Sequence, residues 1–109
     1  MKLKKLDGNF IIIKDVNFEF TDNTFCIIKE ADGYTMIKTL LNTEENFSEY
    51  FKAFYIDELY NFETSGILFK IIEPLKNAKI SVLVVSAFSR DYIFVLEKNY
   101  ETAIKILGI

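Results

Sequence analysis

The sequence has no histidine and no tryptophan, a single cysteine, a single proline, and one arginine against twelve lysines. Without histidine the commonest general base is missing, and so are the Ser-His and Cys-His nucleophile systems and the usual zinc sites. An enzyme here would need carboxylates or lysines converging in a pocket, and no motif marks such a set. The expectation is a protein that is not an enzyme and needs no cofactor or metal. One cysteine, Cys26, permits no internal disulfide. It lies in the apolar run Phe25-Cys26-Ile27-Ile28 and reads as a small buried hydrophobe. No stretch approaches the ~18 consecutive apolar residues of a membrane-spanning helix. With no signal peptide at its start, the chain is expected to be cytoplasmic.

Basic clusters are also scarce. The net charge is −3, and the densest basic run is Lys2-Leu3-Lys4-Lys5. No stripe could track a phosphate backbone, so nucleic acid is not an expected partner. What the chain has in plenty is apolar material. Half of its 109 residues are hydrophobic and 16% are aromatic, enough for one compact domain or two small lobes.

Along the chain, residues 1–13 carry a strand pattern, with Asp7-Gly8 as a turn before the β-branched run Ile11-Ile12-Ile13. Residues 14–23 are polar and read as loop. Residues 24–41 read as a hairpin, with Asp32-Gly33 at its turn. Residues 47–56 are ambiguous. Phe47, Tyr50, Phe51 and Phe54 fall at helical spacing, with Asn42 and Glu45 resembling a capping box, yet 51–56 also fits a strand. Pattern alone favours the helix.

Residues 65–78 form a better helix, with Ile67, Leu68, Ile71, Ile72, Leu75 and Ala78 on one face; Pro74 predicts a loosened last turn. Residues 80–88 are almost continuously apolar and read as a central strand buried on both faces. Ser89-Arg90-Asp91 is a short turn, with Arg90 solvated, and 92–96 is the next strand. Asn99 is a good N-cap for a last helix over 100–107, burying Tyr100, Ala103, Ile104 and Leu107 and ended by Gly108.

Several stretches resemble one family in order and spacing. They are the opening Met1-Lys2-Leu3-Lys4-Lys5-Leu6-Asp7-Gly8, the acidic Glu44-Glu45-Asn46, Ser65-Gly66-Ile67-Leu68, and Glu73-Pro74-Leu75 followed by Asn77-Ala78-Lys79-Ile80-Ser81. The last is Ser86-Ala87-Phe88-Ser89-Arg90-Asp91-Tyr92-Ile93. Together they resemble the short tandem ACT-like proteins, which are related to the regulatory ACT domains of aspartate kinases and to cytosolic arginine sensors. The resemblance implies that 51–56 is a strand. It also implies an α+β, ferredoxin-like ACT architecture: a C-terminal βαββα lobe over 51–109 and a reduced, mostly β N-terminal lobe over 1–50. The linker over 14–23 and the stretch before Phe51 are shorter than in the family.

By that resemblance the chain is a regulatory unit binding a free amino acid, at a lobe or homodimer interface. The implied site is the start of the first helix, at Thr64, Ser65, Gly66 and Ile67. A helix N-terminus offers unpaired N–H groups to a carboxylate, and a glycine lets a ligand approach the backbone. Asp91, at the matching turn position, would meet the ammonium, with Glu63 as a second acid and Phe88 as an apolar wall. Two other readings stand beside it. One is a structural or oligomerisation module with a vestigial site. The other is an RNA-binding sheet presenting Tyr92 and Phe94, which the acidic balance and the single arginine disfavour.

Overall fold

The computed structural model describes residues 3–40, 49–56 and 66–109. The capping-box pair Asn42 and Glu45, the segment Glu44-Glu45-Asn46, and Phe47 lie outside the described residues. The elements run β1 (Leu3–Asp15), β2 (Thr24–Glu30), β3 (Gly33–Thr39), β4 (Phe51–Ile56), α1 (Gly66–Asn77), β5 (Leu83–Ser86), β6 (Asp91–Leu96) and α2 (Glu97–Leu107). Two compact units result: Gly8–Phe51, and Met1–Asp7 together with Lys52–Ile109. β1 contributes residues to both.

In the first unit β3 lies between β1 and β2, and both pairings are antiparallel. β1 is one strand of 13 residues, so Asp7-Gly8 is not a turn. Gly8 instead takes φ +98° within the strand, a conformation glycine adopts without steric cost. The β2–β3 turn is Ala31-Asp32, one residue earlier than expected, because Gly33 already pairs with Glu30. A register shift between Thr24 and Cys26 leaves Phe25 as the extra residue of a bulge. Its ring meets Phe10 edge-on, with centroids 5.6 Å apart. The polar linker is held by local hydrogen bonds. Asn17 N–H donates to Asp15 Oδ1 at 3.1 Å, and Thr21 N–H to Thr24 Oγ1 at 2.9 Å. Asn23 Nδ2 donates to the Thr39 carbonyl at 3.2 Å, tying the linker to β3. Cys26, expected to be buried, is only half-buried, and that burial raises its thiol pKa.

Across the hairpin, Lys14 Nζ lies 2.8 Å from Glu30 Oε2 and 2.9 Å from Asp32 Oδ1, while Thr35 Oγ1 donates to Glu30 at 2.7 Å. The hydrogen bonds that Lys14 donates hold Glu30 and Asp32 below their ordinary values of 4.5 and 3.8, and the same bonds to these carboxylates hold Lys14 above 10.5. The sign follows by linkage. Lowered carboxyl groups stabilise the fold above their ordinary values, and this is lost as the pH falls through the lowered ones. The raised lysine stabilises below 10.5 and loses its effect as the pH rises above it. All three side chains are exposed, so the effect is small and screened by salt. In low salt, Lys14→Met is expected to flatten the stability profile at both acid and alkaline ends. Urea midpoints across pH check this, and parallel profiles for both proteins would refute it.

In the second unit hydrogen bonding orders the strands β1-β4-β6-β5. Alternation sends Phe54 and Ile56 of β4 and Ile93 and Val95 of β6 to one face. There they join Ile71 and Leu75 of α1 and Tyr100, Ala103 and Ile104 of α2 in one core. β5 corrects the expectation of a central strand. It has four residues, sits at the sheet edge, and none of its residues is fully buried. The buried strand is β6, where Ile93, Phe94 and Val95 have no exposed surface. β5 and β6 form the expected antiparallel hairpin, in register Leu83↔Phe94 to Ser86↔Asp91.

Helix α1 follows its apolar period, with Ile71 and Leu75 buried and Ile67, Leu68 and Ile72 partly so, but Ala78 is exposed beyond its end. Pro74 stays inside the helix. α2 starts at Glu97 with Leu96 at the N-cap and no side-chain cap. Asn99 is therefore inside the helix and not its cap. Tyr100, Ala103 and Ile104 are buried as the period predicts; Leu107 packs partly buried on the core, and Gly108 closes the helix at φ +71°.

The end of α1 has no glycine. Ile80 N–H donates to the Leu75 carbonyl at 2.9 Å and Lys79 N–H to that of Lys76 at 2.9 Å, a Schellman pair with Lys79 in the left-handed position at φ +61°. A side chain there is strained by about 1 kcal/mol. Lys79→Gly is therefore expected to stabilise the protein by ~0.5–1 kcal/mol, read as a raised urea midpoint. A lowered midpoint would contradict the assignment.

Candidate functional site

Of the residues singled out in the sequence, Glu63, Thr64 and Ser65 lie outside the described residues. Gly66 is the first residue of α1, whose first turn carries no acidic side chain to neutralise the positive end of the helix. Nothing among the described residues stands within 4 Å of where a Cβ on Gly66 would be, and its backbone has no positive φ. Neither packing nor conformation requires glycine there. Ile67 packs against the helix-side core, so its side chain is committed to the fold.

Asp91 opens β6 and pairs with Ser86 across the hairpin, whose loop closes through Ala87 N–H donating to the Arg90 carbonyl at 2.9 Å. It is only 4% exposed, the one buried charged side chain among the described residues. Alternation puts it on the face of Ile93 and Val95, the face covered by α1 and α2. No ion pair among the described residues involves it. Phe88, at 96% exposed, stands open to solvent and can serve as a wall only for something bound from outside.

The sequence reading missed a cluster on the other side of β6. Arg90, taken as solvated, is half-buried, with its guanidinium carbon 5.2 Å from the centre of the Tyr55 ring. Tyr55 in turn tilts against Tyr92, with centroids 5.9 Å apart. Tyr55 and Tyr92 have the opposite parity to Phe54, Ile56, Ile93 and Val95, so this cluster lies on the sheet face away from the helices. Nothing local foretells it, because Tyr55 and Arg90 are brought together only by the sheet. A second cation, Lys52, lies 5.2 Å over Tyr100, but that ring is 7% exposed. Burial, followed by the charges of Glu101 and Asp7, raises the Tyr100 pKa. No group of three or more metal-ligating side chains occurs among the described residues, and no described helix is long and apolar enough to cross a membrane.

Comparison with known proteins bears on the fold and the family. The chain is similar to a protein of unknown function from Vibrio cholerae, described as a possible transport protein. That likeness has a TM-score of 0.78 at 19% identity and covers 96% of this chain and 85% of the other. It is equally similar to a protein from Agrobacterium tumefaciens, with a TM-score of 0.76 at 19% identity over 97% and 85%. At such identity these likenesses concern the fold. No curated protein matches in sequence. Residues 47–108, more than half the chain, match the ACT domain, a regulatory type of domain that binds small ligands. The chain belongs to the ACT domain family.

Proposed function

We propose that this chain is a cytoplasmic regulatory ACT module that binds a free amino acid at the start of α1, with Asp91 of β6 as the acid that meets its ammonium. The observation that carries the reading is Asp91. A carboxylate only 4% exposed, with no partnering cation among the described residues, is costly, and a ligand ammonium would relieve that cost. The ligand carboxylate would meet the N–H groups at Gly66 and the residues before it, Thr64 and Ser65, with Glu63 as the second acid. In this reading the second unit is a ferredoxin-like ACT unit, its β4-α1-β5-β6-α2 run completed by β1 on the far side of β4. The first unit is the reduced companion lobe.

A thermal-shift series over the twenty amino acids tests the binding. Ligand at about a hundred times its Kd adds ~2.7 kcal/mol to the native state, a Tm rise of several degrees for a chain of this size. Gly66→Ala leaves the fold intact and brings a methyl to the helix start; Asp91→Asn keeps shape and removes charge. Both are expected to abolish the rise. If no amino acid at millimolar concentration moves the wild-type Tm, amino-acid binding is refuted.

The alternative, a structural module without ligand, draws on one observation: β5, apolar at Leu83, Val84 and Val85, is an edge strand. Such an edge can pair with its copy across a two-fold axis. A dimer in sedimentation, unaltered by Asp91→Asn and joined to a flat amino-acid series, would favour this reading.

A further inference from the structure

We propose a second ligand site on the helix-free face of the sheet, formed by Arg90, Tyr55, Tyr92 and Phe88. Its ligand class is a flat aromatic anion: a carboxylate or phosphate head on an aromatic body. The site is independent of the amino-acid site. Asp91 faces the helices, whereas Arg90 lies over Tyr55 on the opposite face. The ammonium and carboxylate of one amino acid are a single carbon apart and cannot engage both.

Arg90 supplies the anion recognition. The cation–π contact with Tyr55 holds the guanidinium carbon 5.2 Å from the ring centre, and guanidinium N–H donors form a fork that matches two oxygens of a carboxylate or phosphate. The chain has sixteen acidic residues against thirteen basic ones, yet no carboxylate among the described residues pairs with this guanidinium. The Lys52–Tyr100 pair makes the contrast: its ring is buried, so that contact is packing, while Tyr55, Tyr92 and Arg90 all keep accessible surface.

Phe88 supplies the aromatic recognition. It is the most exposed large hydrophobic residue described, and it lies two residues before Arg90 in the same hairpin loop. A flat ring bound by its anionic group at Arg90 would lie against Phe88 and so remove apolar surface from water.

The test is an NMR titration of the 15N-labelled chain with benzoate, phenyl phosphate, acetate and inorganic phosphate at fixed ionic strength. Benzoate or phenyl phosphate is expected to saturate in the millimolar range, moving the amides of residues 55 and 88–92, and to bind about 3–10-fold more tightly than its ring-free counterpart. Whichever pair binds more tightly assigns the head group. Arg90→Gln is expected to weaken all of them about 10-fold or more, and Arg90→Lys by less. Phe88→Ala should erase only the advantage of the ring. Both positions are accessible, so the variants keep the wild-type circular dichroism. An Arg90→Gln variant that binds benzoate and phenyl phosphate like wild type overturns the proposal. So does a wild type with no saturable shift, or one whose shifts centre on Gly66.

Discussion

Gly33→Ala is expected to destabilise the protein by ~3 kcal/mol or more, a large share of the 5–15 kcal/mol that holds a typical domain together. A Cβ at this position would stand 2.5 Å from the Asp15 carbonyl oxygen and 3.3 Å from its carbon. Both are backbone atoms, and neither can swing aside as a flexible side chain would. Gly33 also holds φ +147°, which strains any residue with a side chain. Relief requires prising β3 from β1 where Asp15 pairs with Tyr34, beside the Lys14 bridges to Glu30 and Asp32. Urea denaturation measures the loss, and hydrogen exchange should place it in β1, β2 and β3. Gly66→Ala is the control, with open space at its Cβ and no positive φ, and should be neutral or slightly stabilising. A Gly33→Ala variant within 1 kcal/mol of wild type would show that the approach to Asp15 is looser than the structure has it.

Phe54→Ala is the second large effect, at ~3–5 kcal/mol. Phe54 has no exposed surface and sits in the core that Ile71 and Leu75 of α1 and Ile104 of α2 complete. Truncation removes a buried ring and leaves a cavity that a sheet and two helices cannot close without moving together. Phe54 and Gly33 belong to different compact units. Each variant should therefore lose amide protection first in its own unit, with α1, α2 and β6 affected by Phe54→Ala. Phe54→Leu, which keeps most of the volume, should cost much less. Equal losses for the two substitutions would mean that the site is not tightly packed.

The helices were the most legible part of the chain. Ile67, Ile71 and Leu75, and Tyr100, Ala103 and Ile104, recur at the helical period, and that period depends only on the chain's own geometry. The β2–β3 and β5–β6 hairpins were legible for a related reason: each pairs segments a few residues apart. The ambiguous run 51–56 is a strand, as the family resemblance implied and against its own helical spacing. Its side chains satisfy both patterns, and only the strands beside it decide between them.

Long-range placement was not legible. The run 80–88 has the composition of a buried central strand, but composition does not name neighbours, and the sheet puts β5 at its edge and β6 inside. Asp7-Gly8 has the chemistry of a turn, yet strand pairing carries β1 straight through it. Gly33 is required by Asp15, eighteen residues earlier, more than by the turn it follows.

The candidate sites divide the same way. The apolar faces of both helices, the hairpin that presents Asp91 and the absence of histidine chemistry were all readable from the chain alone, because each depends on local spacing or on composition. The burial of Asp91 on the helix side, with Arg90 over Tyr55 on the other, follows from packing between distant segments. That separation arises where β6 takes its place in the sheet, since strand alternation gives neighbouring residues opposite faces and the packed helices decide which face is inside.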